Sequence, residues 1–346
     1  MAFRCGSYGS KYLLACGPGR ISTQLELALE ILPQVLLDGM VLGFMYALIA
    51  LGYTMVYGVL EFINFAHSEI FVLGAFVGVE ALLLLESAGY LASVHPSVIL
   101  LLVMATAMVV SGVAAMALER IAYRPLLGGP RLVALISAIG ASFFLQDALR
   151  LFESLWRNTF YLTYPTLDFL ERTVPLGSDL VIPLKSVLVI VTALLMLIGL
   201  YLFVNRTKLG MAIRAVAQDP ETASLMGVPV HSVIALTFFV GGSLGGLAGV
   251  LFGIHYSLVN PYSGFVPGMK AFTAAVLGGI GNIPGAMLGG MLLGLLEACA
   301  ASYLSLATNG AFGAEYKDVV AFLVLILILI FRPSGLLGEA VRESKA

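Results

Sequence analysis

The run Val-Leu-Val-Ile-Val-Thr-Ala-Leu-Leu-Met-Leu-Ile-Gly-Leu-Tyr-Leu-Phe-Val at residues 187–204 decides the class of fold. It carries no charged side chain, and a helix of about 20 apolar residues spans the hydrocarbon core of a bilayer. The whole chain of 346 residues has this character, with 60% hydrophobic residues, 11% charged residues and a mean hydropathy of +1.01. An ordinary soluble domain has about 25% charged residues. The sequence therefore predicts an all-α polytopic membrane protein and excludes a cytosolic enzyme, a nucleic-acid binder and a disordered chain.

Charge and cysteine content restrict the partners and cofactors. The net charge is −2 and the pI is near 6.1, so the chain lacks the basic surplus of proteins that bind nucleic acid, and no nucleic-acid partner is expected. The three cysteines, Cys5, Cys16 and Cys299, are odd in number and contain no Cys-x-x-Cys pair. A disulfide framework or a zinc site is therefore not expected, and the sequence predicts no metal and no cofactor.

Nine apolar runs are candidate transmembrane segments, which predicts about 8–9 transmembrane helices with discontinuous or re-entrant segments. They are residues 35–57, 61–85, 97–119, 131–152, 182–204, 230–256, 269–284, 285–306 and 317–332. Residues 1–32 are expected to form an N-terminal extension, with a short interfacial helix near 21–34. The transmembrane domain is expected over residues 33–338, and a cytoplasmic tail over 339–346.

Lysine and arginine in the short loops predict the orientation. The loops 119–131 and 205–229 are basic and are expected in the cytoplasm, whereas the loops 86–96 and 257–268 carry no lysine or arginine and are expected outside. The loop 153–181 has a mixed charge and is also expected outside. The side of the N-terminus stays open, because counting back through a full span at 61–85 puts it outside, while its basic residues favour the inside.

The first interruption of the apolar pattern lies at residues 58–69 and is rich in polar side chains. They are Glu61, Asn64, His67, Ser68 and Glu69. Glu61, Asn64 and Ser68 would share one face of a helix at spacings of three and seven residues. Ionisable residues inside a span are costly and are functional candidates by default. The segment is either a broken helix that lines a substrate path or a turn at the membrane boundary in contact with lipid headgroups.

The second interruption follows Lys270 and Thr273 and contains several glycines. Its residues Gly278, Gly279, Gly281 and Asn282 are poor helix formers, and Pro284 follows them. Backbone that leaves a helix at membrane depth must be buried in protein or line a water-filled cavity. The segment is therefore a second candidate for the path, or a tight hairpin between two spans. The chain has no Gly-Lys dipeptide, so it has no Walker A motif and cannot hydrolyse ATP by that route.

The loop 205–229 carries the signature of a short capped helix. Asp219 is the expected N-cap, Pro220 and Glu221 occupy the first turn, and Gly227 is the expected C′ residue. A helix this short is marginal alone, so it needs a docking surface on its own membrane domain or on a partner.

Several separate blocks of sequence, in the right order, resemble one family. The blocks are residues 46–58, 63–67, 119–125, 135–140, 214–227, 268–281, 315–320 and 333–335. Together they are similar to the LivH-type permease subunit of branched-chain amino acid ABC importers, over roughly residues 33–338. Residues 1–32 extend beyond the usual start of the family, and the loop 153–181 matches poorly.

The resemblance implies a multi-pass subunit of the bacterial inner membrane that is not itself an enzyme. It implies a second, LivM-type permease, two ABC ATPase subunits and a periplasmic substrate-binding protein as partners, with leucine, isoleucine or valine as substrate. Residues 61–69 and 270–285 would then line the path. Residues 214–227 would be a helix that couples the chain to an ATPase. The coupling residues are Arg214, Asp219, Glu221, Ala223, Ser224, Leu225 and Gly227.

Three alternatives stay open. Relatives that carry urea or short amides share much of this fold. An ion-coupled secondary transporter would use Glu61, His67 or Glu69 as a proton relay. An intramembrane enzyme would use His67 and Glu69, but neither a second metal-type cluster nor a nucleophile motif supports it.

Overall fold

The computed structural model describes residues 20–60, 62–126, 129–165, 167, 169–175, 181–308, 310, 312–332 and 334–338. Glu61, predicted for the first interruption, lies outside the described residues, as do most of the predicted N-terminal extension and the whole predicted tail at 339–346.

Twelve α-helices account for most of the described chain. They are α1 (Arg20–Leu60), α2 (His67–Ser87), α3 (Tyr90–Ser93), α4 (Pro96–Leu118), α5 (Arg131–Trp156), α6 (Leu184–Arg206), α7 (Lys208–Gln218), α8 (Pro220–Leu225), α9 (Val230–Tyr256), α10 (Phe265–Gly278), α11 (Ile283–Ala307) and α12 (Lys317–Phe331). A π-helical turn, Glu119–Tyr123, extends α4, and a 3-10 turn, Ala314–Tyr316, precedes α12. The all-α polytopic prediction is confirmed.

The described chain has four very short strands, which pair in the loops on one side of the molecule. They are β1 (Leu162–Thr163), β2 (Thr173–Pro175), β3 (Val181–Pro183) and β4 (Leu258–Val259). Strand β1 pairs antiparallel with β4, with Leu162 opposite Val259, and β2 pairs antiparallel with β3. The β1–β4 pair joins the loops 153–181 and 257–268, so both loops lie on the same side, as the charge pattern predicted.

Seven of the described helices are long and apolar enough to cross a membrane: α1 from Ala28, then α2, α4, α5, α6, α9 and α11. The other two predicted spans are shorter helices, since α10 has 14 residues and α12 has 15. A helix of 14 residues rises about 21 Å, less than the hydrocarbon thickness of about 30 Å. Helix α10 is therefore re-entrant, and the span predicted at 269–284 ends early at Gly278.

Two boundaries differ from the prediction at the N-terminal end. Helix α1 runs unbroken through Pro33, so the segment at 21–34, predicted as a short interfacial helix, is continuous with the first span. Helix α2 begins at His67 rather than at residue 61 and is still 21 residues long. With α2 as a complete span, counting back from the cytoplasmic basic loop 205–229 places the N-terminal end of α1 on the external side of the membrane.

Helix α9 is the centre of the bundle and packs against α1, α2 and α4. Its glycines allow this close contact. Gly246 lies against Gly74 of α2, and a Cβ atom at Gly249 would overlap the carbonyl oxygen of Phe71. In a bilayer, helix association depends on such close van der Waals packing, because lipid tails are as apolar as the side chains. The glycines of α9 therefore form a packing surface.

Replacing Gly249 by valine should therefore separate α2 from α9. Overpacking of this kind costs about 1–3 kcal/mol. We expect a lower yield of monodisperse protein in size-exclusion chromatography and a lower melting temperature. Gly140→Val in α5 is the matched control, because a Cβ there meets nothing within 4 Å. Equal behaviour of the two variants would contradict this account of the packing.

Candidate functional site

The first interruption is a buried break between α1 and α2. Residues 62–66 are not helical, and the carboxamide oxygen of the buried Asn64 accepts a hydrogen bond of 2.6 Å from the Tyr123 hydroxyl. The ring of Phe62 contacts the same tyrosine edge to face at 5.4 Å between centroids. A turn among lipid headgroups would leave these side chains exposed, so the structure favours the interpretation as a buried broken helix.

Three of the predicted polar residues form the first turn of α2 and are buried. His67 fits between Gly52 of α1 and Gly245 of α9, and its ring lies 4.6 Å from that of Tyr53. Its Nε2 atom has no hydrogen-bond partner in the described part of the chain. Asn64 precedes the helix, so the predicted common helix face of Glu61, Asn64 and Ser68 is wrong.

Glu69 is the one acidic residue in the first turn of α2. Its Oε1 atom accepts hydrogen bonds from Ser68 at 3.4 Å and from Ser142 of α5 at 3.3 Å. Its Oε2 atom has no partner among the described residues. A carboxylate at a helix N-terminus is stabilised by the helix dipole, which offsets part of the cost of burial.

The first interruption packs against α10, the helix that leads into the second interruption. Gly264 and Gly268, at the start of α10, pack directly against Ser68, and a Cβ atom at Gly264 would lie 2.7 Å from the Ser68 carbonyl oxygen. A cavity of about 10 Å³ separates the loop 62–66 from α10, which is room for about one water molecule. It is lined by Tyr53, Tyr57, Ile63, Asn64, Phe272, Ala275 and Ile280. The cavity at this contact is too small for a molecule larger than water.

The second interruption is a turn anchored to the C-terminal segment. Gly279 and Gly281 have positive φ angles of 104° and 90°, and Asn282 caps α11 by accepting a bond from the Gly285 amide. Asn282 also donates to the Leu337 carbonyl at 2.9 Å. Gly278 packs against Gly285, so the hairpin interpretation describes these four residues well. Thr273 is buried and donates to the Met269 carbonyl of its own helix.

Lys270 belongs to a buried network of charges that the sequence did not predict. Its Nζ atom lies 2.8 Å from Glu297 Oε1 and 2.6 Å from Asp318 Oδ1. Lys317 Nζ is 3.0 Å from the same Glu297 oxygen. Tyr46 donates to Glu297 Oε2 at 2.8 Å. We call these five residues the charge network. Its only signal in the sequence was the presence of Lys270 and Glu297 within apolar helices.

The charge network forms one wall of a cleft of about 430 Å³, which we call the outer cleft. It opens next to β4 and the start of α10, on the side assigned to the outside. Its lining is Tyr46, Phe252, Tyr256, Leu258, Ser263, Val266, Pro267, Lys270, Glu297, Lys317 and Asp318. The wall facing the charges is therefore aromatic and aliphatic. The side chains of Lys270 and Glu297 are nearly inaccessible, at 4% and 2%, whereas those of Lys317 and Asp318 are 35% and 37% exposed.

The predicted coupling segment 214–227 is two helices rather than one, because Asp219 interrupts it with an extended backbone. Asp219 caps α8, as predicted, and accepts bonds from the amides of Glu221 and Thr222 at 3.0 and 3.1 Å. The hydroxyl and amide of Thr222 hold the pKa of Asp219 below its ordinary value. The cap is therefore intact at neutral pH and is lost only in acid, as the pH falls through that lowered pKa.

Helix α8 has one anchored side and one free side. Ala223 is buried, and Gly227 ends the helix with a φ of 85°. Ser224 is exposed, and Leu225 and Met226 are 86% and 81% exposed. In the preceding helix, the Arg214 guanidinium donates to Asn205 at 2.7 Å. Two adjacent apolar side chains thus project from the cytoplasmic side.

Comparison with known proteins gives a consistent match. The family model described as "Branched-chain amino acid transport system / permease component" matches residues 35–329. The high-affinity branched-chain amino acid transport system permease protein BraD of Pseudomonas aeruginosa is 46% identical over 307 residues, covering 88% of this chain and 95% of that protein. The LivH proteins of Escherichia coli and Salmonella typhimurium are each 42% identical over 320 residues, with the same coverage. No solved structure matches the chain.

The burial of the charge network predicts a strong effect of breaking it. Lys270→Met leaves Glu297 with the half-exposed Lys317 as its one remaining cation, and removing one partner of a buried pair costs about 3 kcal/mol or more. The free energy of unfolding, measured by titration with a denaturing detergent, should fall by that amount. Lys185→Met is the control, since its pair with Glu171 is long, at 3.8 Å, and partly open to solvent, with side chains 20% and 55% exposed, and should contribute about 1 kcal/mol or less. Similar losses in both variants would argue against a buried network.

Proposed function

This chain belongs to the family of permease components of branched-chain amino acid transport systems, and we propose that it carries branched-chain amino acids through the membrane by alternating access. It is a transport subunit rather than an enzyme, and a multi-pass protein of the bacterial inner membrane. The observation that carries the substrate assignment is the 42–46% identity, over 88% of the chain, to permeases named for these amino acids.

Membership of this family implies ABC partner subunits and a substrate-binding protein. More specifically, this chain would pair with a second, LivM-type permease, and two ATPase subunits would dock on the cytoplasmic side. A periplasmic binding protein would deliver the substrate to the outer cleft. The missing Walker A motif supports the division of labour, because the energy must then come from other chains.

The outer cleft supports a role as the entry to the path. A branched-chain amino acid is a zwitterion with an apolar side chain, and the cleft offers opposite charges on one wall and aromatic and aliphatic groups on the other. The half-exposed Lys317 and Asp318 can exchange partners with the carboxylate and the ammonium group of the substrate. The buried Lys270 and Glu297 then keep the network neutral, which limits the electrostatic cost of the exchange.

The contact between the first interruption and α10 would be the closed gate of the same path. The outer cleft has about 430 Å³, whereas the cavity between loop 62–66 and α10 has about 10 Å³. This combination corresponds to an outward-open, inward-closed state. Separating α10 from the loop 62–66 would open the path past Asn64, His67, Ser68 and Glu69, where the N-terminus of α2 can stabilise a substrate carboxylate.

Helix α8 would transmit the ATPase motion to this gate. Leu225 and Met226 present an apolar tip suited to a hydrophobic groove, and the charged Asp219 cap keeps the helix formed. Arg214 and Glu221 flank the tip with charges that can orient a partner.

Transport by the assembled importer in proteoliposomes tests the function. With the binding protein added outside right-side-out vesicles and ATP enclosed within them, labelled leucine should accumulate in the vesicles, and excess isoleucine or valine should compete. A protonophore should leave uptake unchanged. Uptake of urea or acetamide in place of leucine, or loss of uptake with the protonophore and no need for ATP, would instead establish one of the alternative transporters.

The free tip of α8 predicts a specific uncoupling. Leu225→Asp should reduce ATP-driven leucine uptake at least tenfold while the protein stays in the membrane, because an aspartate in a hydrophobic groove loses on the order of 1.4 kcal/mol or more of docking energy. Ala223→Pro should act similarly, since it removes the amide that donates to the Asp219 carbonyl at 3.0 Å. ATPase activity and uptake are measured together.

Ile121→Asp is the control for the α8 variants, because Ile121 is 77% exposed at the cytoplasmic end of α4 and lies outside the loop 205–229. It should keep normal coupling. Normal uptake in both α8 variants would refute the coupling assignment.

A further inference from the structure

Two neighbouring cavities lie along α9, one between α9 and the cytoplasmic end of α4 and a deeper one between α4, α6 and α9, and we call them together the groove. Helices α4 and α6 both pack against α9, but scarcely against each other, so α9 is exposed as the floor between them. The side chain of Phe239 lines both parts of the groove. The cytoplasmic part has about 570 Å³ and the deeper part about 250 Å³.

The cytoplasmic part is positively charged at its mouth. Arg120 and Arg124, from the π-helical end of α4, line it together with Ser232 of α9. Arg124 is held by two hydrogen bonds of 3.1 Å to the buried Glu119. Arg120 is exposed and has no acceptor in the described part of the chain. Above the arginines the walls are apolar, formed by Met116, Ala235, Leu236 and Phe239.

The deeper part is apolar almost throughout. It is lined by Met108, Met196, Gly199, Leu200, Phe203, Phe239, Val240, Ser243 and Leu244. From Ser232 to Leu244, α9 rises about 18 Å, which is close to the roughly 15 Å of one leaflet of the hydrocarbon core. The groove therefore has a cationic mouth at headgroup level and an apolar channel about one acyl chain deep.

We propose that this groove, formed by α4, α6 and α9, is a binding site for one anionic phospholipid of the cytoplasmic leaflet. Arg120 binds the phosphate and the anionic headgroup, Arg124 keeps a second positive charge beside it, and the acyl chain lies along α9 past Phe239 to Leu244. Basic pockets between helices on the cytoplasmic side suit anionic headgroups. The positive end of the α9 dipole adds to the attraction. No acidic residue lines either part of the groove in the described chain.

The proposal does not depend on the transported substrate and is tested on the importer purified from its native membrane through a tag on this chain. After delipidation, dioleoylphosphatidylglycerol and dioleoylphosphatidylcholine are titrated in turn, and bound lipids are counted by native mass spectrometry. One phosphatidylglycerol per copy of the chain should bind more tightly than phosphatidylcholine. Arg120→Gln should weaken its binding about fivefold.

Gly199→Trp tests the acyl channel separately. Gly199 lines the deeper part, and a Cβ atom there meets nothing within 4 Å, so we expect the indole to occupy the channel and displace the lipid. Arg332→Gln is the charge-matched control, because Arg332 lies at the end of α12, away from the groove, and should leave binding unchanged.

Three outcomes would overturn the proposal. The first is equal binding of the two lipids by the unmodified chain. The second is unchanged phosphatidylglycerol binding in both Arg120→Gln and Gly199→Trp. The third is efficient cross-linking of Gly199→Cys to a partner permease, which would show that a protein surface fills the groove.

Discussion

The close approach of α9 to its neighbours is the constraint on which the rest of the structure depends. At Gly246 and Gly249 the backbone of α9 nearly touches α2, and Gly245, with Gly52 of α1, leaves the space that the ring of His67 fills. Larger residues on this face would push α2 away. The loop 62–66, which lacks helical hydrogen bonds, would then lose the protein surroundings that a non-helical segment requires inside a membrane. The break in the helix is possible because α9 has almost no side chains there.

Charged side chains inside the membrane also need protein partners, and the charge network supplies them. An isolated lysine in α10 would be costly at membrane depth. Glu297 and Asp318 approach Lys270 from two other helices, and Lys317 completes a neutral set of four charges. Such a network gives little net stability compared with well-packed apolar residues. The outer cleft beside the network explains these charges better, because paired charges there can change partners without leaving an unpaired charge.

The sequence predicted those parts of the structure that depend on residues close together along the chain. The Asp219 cap, the end of α8 at Gly227 and the end of α10 near Gly278 each follow from residues within a few positions of one another. The charge network joins residues 27 and 48 positions apart in sequence, from Lys270 to Glu297 and Asp318, and Asn64 meets Tyr123 from a distant helix. No local pattern encodes such pairs. Helix α1 continues through Pro33, since membrane helices tolerate proline where neighbouring protein or local adjustments satisfy the freed carbonyl.

The link from α8 through α9 to the proposed gate is short and has few degrees of freedom. The Val228 amide bonds to the Ala223 carbonyl at 3.0 Å, and α9 begins two residues later, so a displacement of α8 is passed to the end of a continuous helix of 27 residues. That helix carries Gly241 and Gly245, which contact Gly52 and His67 respectively. Glycine contacts of this kind fit in one register and clash when the helix slides by one residue. If α8 couples the chain to an ATPase as proposed, we expect α9 to move between discrete positions rather than over a continuous range, which is what a route between two distant sites requires.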